Sequence, residues 1–583
     1  MTEEKTGSSG WSPAARGLSA FALFTAAFAV LAAWVFDGTW ALDMAPVMPD
    51  CPVSFSAEPV REWVNGWMES GKFVPGDIAV FLGEPYFWIE LKYALAVYCA
   101  ALGMAFFLRG RGAGLPASYG AGLLLAFSGY WFSLFSAGHL GWFQWMTYGV
   151  FAFGLADRAV ERGGIMYWIL LGAVLAWGSF YQPDMWLLFT VFTAAYFIFR
   201  AVSFFRAERD RECAKGCFRR FLCGGIAALA VFAAVGTPSF RSAIVNDIAG
   251  RDRQIDEGQT VEGAPADDGE KRWIFVTNWS MPPEDTLEFF IPRINGDTSC
   301  PITLAVGNMR KTGVEPYTGR LGRPKDAPSG NYRQHSLYVG WVTCLLAVFG
   351  VASVFRRRKN RDADRPAMSR GTAMFFLSAG FVFWLFSMGR YCEPVYRCVY
   401  SLPMGDYLRA PVKWHHLTEF CIAVLAGYGL EAAGRMLSRR RFLAVAVPCA
   451  IAFAGACDLA RVDKLFCAPR HVDTEIGPLP PPVPENPADA ARFSAAVRSH
   501  GLNPAGKSKM PFRMRNGEMR EFDVLWVERR ITRPPARKEA ELDPQTGFAR
   551  TCAVVSALST IAVLVAAFAA GLIFLLRYFK KPG

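Results

Sequence analysis

Charge is what this sequence has least of: Asp, Glu, Lys and Arg make up 19% of its 583 residues, against about 25% in soluble proteins. It contains no P-loop, no GxSxG, no HExxH and no GxGxxG placed after a strand, so ATP-driven transport and soluble-type hydrolase chemistry lack their usual signatures. The 14 cysteines include no CxxC pair. Cys51, Cys300, Cys392, Cys398 and Cys467 are an odd set on the side read below as outer, with Cys392 and Cys398 the only close pair. A disulfide framework or zinc site is therefore not indicated. No repeat of 20 to 50 residues occurs, which argues against solenoids and propellers.

What is abundant is apolar and aromatic surface: 52% hydrophobic residues and 14% aromatics, with 48 Phe and 18 Trp. These collect in nearly uncharged blocks of about 17 to 22 residues, each long enough to cross about 30 Å of hydrocarbon. The blocks lie near 17–36, 88–108, 117–136, 141–156, 165–180, 185–205, 221–237, 336–355, 371–388, 416–434, 442–460 and 551–576. The expected fold is an all-α polytopic membrane protein with about 12 transmembrane helices and small extracytoplasmic segments of mixed structure. The first block is longer than a signal-peptide core and reads as an uncleaved span.

Orientation follows from the short connections, because Lys and Arg resist translocation. Every second one is basic: Arg109 and Arg111; Arg158 and Arg162; Arg206, Arg209, Arg211, Lys215, Arg219 and Arg220; Arg356 to Lys359; Arg435 and Arg439 to Arg441; Arg577, Lys580 and Lys581. Both termini are expected in the cytoplasm. Residues 1–460 then form a membrane domain with outer loops 37–87, 238–335 and 389–415. Residues 461–550 form an extracytoplasmic segment, and 551–583 the last helix and a cytoplasmic tail. Outer loops of that length point to function. The run 478–487 reads as an extended spacer.

Three clusters carry candidate chemistry. The first outer loop holds Asp37, Asp43, Asp50, Glu58, Glu62, Asp77 and Glu84. Carboxylates at a membrane surface can deprotonate an acceptor hydroxyl, or hold a divalent cation such as Mg2+ or Mn2+ against a phosphate; as plain solvating acids they would do neither. Asp43, close after the first span, is the strongest candidate. The short outer turns at 137–141 and 181–184 place His139, Gln182 and Asp184 at helix ends, where they either line a polar cavity or cap helices. Finally, the run Asp406 to His416 places Arg409 and Lys413 four apart. That pair can grip a lipid phosphate or simply snorkel at the interface. Arg390, Tyr391 and Arg397 belong to the same surface.

Several short strings resemble one family. Leu125-Ala126-Phe127-Ser128-Gly129-Tyr130 with Gly138-His139-Leu140-Gly141, Pro283-Glu284 with Phe290-Ile291-Pro292 and Gly296, Tyr338-Val339-Gly340, Gly389-Arg390-Tyr391 with Pro394, and Leu408 to Lys413 followed by Leu425 to Leu430 are similar in order and spacing to the YfhO-like bacterial membrane proteins. Those proteins belong to the GT-C superfamily of glycosyltransferases. The resemblance covers roughly residues 17–435. It implies a bacterial cytoplasmic (inner) membrane enzyme that moves a sugar from a polyprenyl-phosphate donor to an extracytoplasmic glycan or protein acceptor of the cell envelope. The essential acid of the first outer loop then falls on Asp43, with Asp37 the alternative. Arg409 and Lys413 would face the donor phosphate, while His139, Gln182 and Asp184 would face sugar hydroxyls. The bilayer is a further partner, and no nucleic acid is expected. Two other functions suit the same architecture: a transporter or flippase of lipid-linked glycans or small molecules, and a catalytically inactive envelope scaffold. The transporter is disfavoured by span interiors with few ionisable residues, Glu419 being one of the rare cases.

Overall fold

A computed structural model describes residues 13–35, 85–132, 140–181, 183–207, 211–242, 268–277, 279–292, 294, 336–356, 369–402, 405–467, 509–513, 519–523 and 545–579. Its helices are α1 (Pro13–Val35), α2 (Pro85–Gly110), α3 (Leu115–Ala126), α4 (Leu140–Arg162), α5 (Ile165–Gly178), α6 (Pro183–Ala207), α7 (Arg211–Ser242), α8 (Asp268–Val276), α9 (Trp341–Phe355), α10 (Arg370–Ser387), α11 (Glu393–Tyr400), α12 (His415–Met436), α13 (Arg441–Cys467) and α14 (Gln545–Phe579). Short 3-10 turns occupy Pro283–Phe289, Gly389–Cys392, Gly405–Tyr407 and Pro411–Trp414. A small antiparallel hairpin pairs β1 (Lys509–Arg513) with β2 (Met519–Asp523), Lys509 opposite Asp523.

The described residues are mostly helical, and their apolar helices suit a bilayer. Among the described residues seven helices are long and apolar enough to cross a bilayer: Ala14–Val35, Met185–Arg206, Gly216–Ser239, Arg370–Ser387, Pro411–Met436, Arg441–Lys464 and Val554–Ile573. Ala94–Gly110, Ile165–Gly178 and Trp341–Phe355 are apolar but shorter. Each apolar block of the sequence thus contains a helix among the described residues, but the block at 117–136 is not one helix. Its helix α3 ends at Ala126, with Phe127 as its C-cap, and at about 1.5 Å per residue it is too short to span the hydrocarbon alone. Local chemistry sets other ends: Pro116 occupies the first turn of α3, and Ser369 caps α10 by accepting from Thr372 N at 3.1 Å.

The axis of the bundle is α12. Of its most apolar window 72% is buried, against 22–28% in the other six spans, because α3, α9, α10 and α13 all pack on it. Lipid offers no hydrophobic force between helices, so close packing of small residues has to hold them. Between α9 and α12 it is reciprocal. A Cβ on Gly350 would strike the carbonyl oxygen of Leu425, and one on Gly429 would strike that of Leu346. Gly350→Leu is therefore expected to lower the melting temperature in detergent, with overpacking costing about 1–3 kcal/mol. Gly225→Ala, where nothing lies within 4 Å, is expected to leave it unchanged or raise it.

The two ends of the bundle differ. At the end that gathers the basic loops, Arg111 Nη1 lies 2.6 Å from Glu161 Oε1 and 3.4 Å from Asp157 Oδ1. Arg200 reaches the same two carboxylates at 2.7 Å each, and Tyr196 donates its hydroxyl to Asp157 at 2.8 Å. The network joins α2, α4 and α6. Burial works against the Arg111 charge, but Tyr196, Asp157 and their neighbours outweigh it and hold the guanidinium above its ordinary range. Beside it, Glu431 on α12 accepts from Gly114 N at 2.7 Å and from Arg435 Nε at 2.8 Å, fastening the start of α3 to the end of α12.

Candidate functional site

The opposite end collects buried polar side chains. The first residues of α12, His415, His416 and Glu419, fall three and four apart and so share a face; they are 0%, 0% and 1% exposed. His416 Nδ1 lies 3.2 Å from Glu419 Oε2, and His415 Nε2 lies 3.7 Å from Glu419 Oε1. The break after α3 supplies the next member, as Ser128 donates its hydroxyl to Glu419 Oε1 at 2.5 Å. What holds the break open is the extended segment 336–340. Gly129 N donates to Tyr338 O at 2.9 Å, and a Cβ on Gly129 would come within 2.8 Å of Ser336 Oγ.

Aromatic rings wall the imidazoles. Tyr130 stacks on His416 with centroids 4.2 Å apart, Trp131 stands 4.8 Å from the same ring, and Phe289 lies 4.5 Å from His415. On the last turns of α13, Asp463 is fully buried and neither of its carboxyl oxygens has a hydrogen-bond partner. It is near enough to Glu419 and Asp458 for their charges to act on it. Asp458 in turn accepts from the Tyr338 hydroxyl. Two further acids, Asp285 and Glu288, are buried on the turn that carries Phe289. Carboxyl, imidazole and hydroxyl groups held together in a low-dielectric setting can accept, hold and pass on a proton.

Above this cluster three segments clamp one another. Val412 N donates to Trp279 O at 3.2 Å and Ala410 N to Val276 O at 3.1 Å. Gly389, with φ +49°, sits where a Cβ would overlap Ser280 and Pro411. Trp279 (φ 67°) and Ala410 (φ 65°) are the two non-glycine residues with left-handed backbone among the described residues, and both lie in this clamp. Each left-handed residue costs about 1–2 kcal/mol, while glycine gives back about 0.5–1 kcal/mol through its freer unfolded chain. Ala410→Gly is therefore expected to stabilise the fold by about 0.5–1 kcal/mol, read as a higher melting temperature.

Of the residues singled out in the sequence, Arg390, Arg409 and Lys413 come together on this clamp. The Arg390 guanidinium donates to Thr277 O at 3.1 Å and Ile274 O at 3.4 Å, tying the 389–392 turn to the end of α8. Burial pulls that guanidinium below its ordinary range, opposed by Tyr391. Arg409 and Lys413, both half-buried, flank Ala410, and Lys413 is close enough for its charge to reach His416. Asp184 is the second residue of α6. Asp37, Asp43, His139 and Gln182 lie outside the described residues, as does the run 478–487. Cys392 and Cys398 are both free thiols.

Among the described residues no three His, Cys, Asp or Glu side chains are arranged to hold a metal ion. Sequence reasoning passed over Asp285, Glu288, Asp463 and the role of Ser128. A signal existed for the α12 set, since two histidines followed three residues later by an acid inside an apolar block are costly there unless partnered. No family model, no curated protein and no solved structure matches this chain.

Proposed function

We propose that this chain is a membrane glycosyltransferase, resembling the YfhO-like proteins of the GT-C superfamily, that moves a sugar from a polyprenyl-phosphate donor to an extracytoplasmic acceptor of the bacterial cell envelope. In this reading it crosses the cytoplasmic membrane about twelve times with both termini inside, and the end carrying His415, His416 and Glu419 faces outward. The observation that carries the reading is the buried cluster of Ser128, His416, Glu419 and Asp463 beside the 409–413 segment, whose Arg409 and Lys413 are half-buried and whose Lys413 is close enough for its charge to reach His416. A cationic pair suits a lipid phosphate, and the groups beside it suit proton transfer.

In the reaction the acceptor oxygen attacks the anomeric carbon as the bond from that carbon to the phosphate oxygen breaks, with inversion. The acceptor proton passes to Asp43, with Asp37 as the alternative base. The departing polyprenyl phosphate takes the electron pair, stabilised by Arg409 and Lys413. His139, Gln182 and Asp184 position sugar hydroxyls, while Glu419 holds Ser128 and His416 in place. The mechanism leaves room for a divalent cation at the carboxylates of the first loop.

The test is to incubate the purified chain in nanodiscs with a panel of radiolabelled polyprenyl-phosphate sugars, with and without Mg2+ or Mn2+. Loss of label from the lipid is expected for the wild type. In both Asp43→Asn and Arg409→Ala it is expected to fall by about 10²-fold or more at normal membrane levels. Wild-type turnover in either variant removes that residue from the mechanism. Glu419 and Asp463 support a second reading, since buried carboxyls within spans also mark ion-coupled transport. A transporter or flippase would move the labelled lipid across the bilayer without cleaving it, and an inactive scaffold would do neither.

A further inference from the structure

The turn Pro283–Phe289 and the residues after it are inside out. Asp285 and Glu288 are 0% and 2% exposed, whereas Leu287, Phe290, Ile291 and Ile294 are 52%, 48%, 51% and 43% exposed. A segment facing water has no reason to bury two acids and present four large apolar side chains. A segment facing hydrocarbon does, and what surrounds it fits. Trp384 on the last turn of the α10 span donates its indole N–H to Thr286 Oγ1 at 3.1 Å. Its ring stands 5.5 Å from that of Phe381, which is 56% exposed on the same span. On the other side Val339 N donates to Phe289 O at 3.3 Å, two residues before Trp341, itself half exposed at the start of α9. The apolar lip therefore continues the lipid-facing surface of α10 and is flanked by two tryptophans at helix ends, where tryptophan marks the membrane boundary.

We propose that Leu287, Phe290, Ile291 and Ile294 form a lip inserted into the lipid leaflet at this end of the bundle, among the acyl chains, with Asp285 and Glu288 turned back into the protein. The buried acids keep their charge off the hydrocarbon, and the exposed side chains anchor the turn beside the His415 cluster. The inference does not depend on the reaction proposed above.

The test is photocrosslinking of the full chain in nanodiscs of phosphatidylethanolamine and phosphatidylglycerol. p-Benzoylphenylalanine replaces Phe290 or Ile291, with Phe381 as the lipid-facing reference and Glu393, exposed on α11, as the aqueous one. Side chains of an interfacial segment sit roughly 5–10 Å into the headgroup–acyl boundary, so phospholipid adducts at 290 and 291 are expected at the level of 381 and roughly tenfold or more above 393. Adducts no higher than at 393 would overturn the proposal. So would a covalent dimer in their place, which would make the lip a seat for a second copy. All four positions are exposed, and an unchanged melting temperature for each labelled variant confirms that the fold is kept.

Discussion

Glu419→Ala is expected to cost about 3–5 kcal/mol of stability, the range for removing one partner from a buried polar pair, and to deplete the protein from the membrane. The carboxyl accepts from Ser128 and lies beside both imidazoles of α12. Without it the Ser128 hydroxyl is stranded in a dry interior, a loss of about 1–3 kcal/mol, and a cavity opens at the most enclosed helix of the bundle. Glu419→Gln separates this from chemistry. Its amide oxygen can still accept from Ser128, and its amide nitrogen can donate to His416 Nδ1. The melting temperature and sugar transfer should both stay near wild type, because the two bonds by which Glu419 positions Ser128 and His416 are kept. Wild-type melting with transfer lowered about 10²-fold would instead make Glu419 a proton-transferring group and overturn its purely positioning role.

Asp157→Leu is expected to have an effect of similar size, about 3–5 kcal/mol, at the other end of the molecule. Asp157 is 1% exposed and serves Tyr196, Arg200 and Arg111 at once, and the two arginines are only 13% and 10% exposed. Glu161, at 35% exposed, still pairs with both, which places the expected loss toward the lower part of that range. The check is a double variant: Asp157→Leu with Arg200→Leu should recover part of the lost melting temperature, because it removes a buried charge along with its partner. If the double variant melts at or below the single one, the network is not what holds α4 to α6.

Much of this architecture was legible in the sequence, since an apolar block in lipid must close its backbone hydrogen bonds internally and therefore becomes a helix. Each of the blocks between 17–36 and 551–576 carries a helix among the described residues. The end of α3 was not legible. Within an otherwise apolar block only the Ser128-Gly129 pair marks a turn, and a distant segment fixes it through the bond from Gly129 to Tyr338. The helix α13 extends past the apolar block at 442–460. It runs on to Cys467 with Asp463 enclosed, which its charged residues Asp458, Arg461, Asp463 and Lys464 do not suggest. The Arg409–Lys413 segment stands out in the sequence because paired cations next to a span are conspicuous. Asp285 and Glu288 were not, because a short 3-10 turn leaves no periodic trace.

The central place of α12 also bears on how the chain is assembled. Synthesis runs from the N-terminus, and ionisable groups in a span are expensive in hydrocarbon until partnered. When α12 leaves the ribosome, α3, α9 and α10 have already been made, so the hydroxyl of Ser128 and the aromatic wall are waiting for Glu419 and the two histidines. The Asp463 carboxyl, carried by α13, is the last of the group to arrive and closes the cluster behind it.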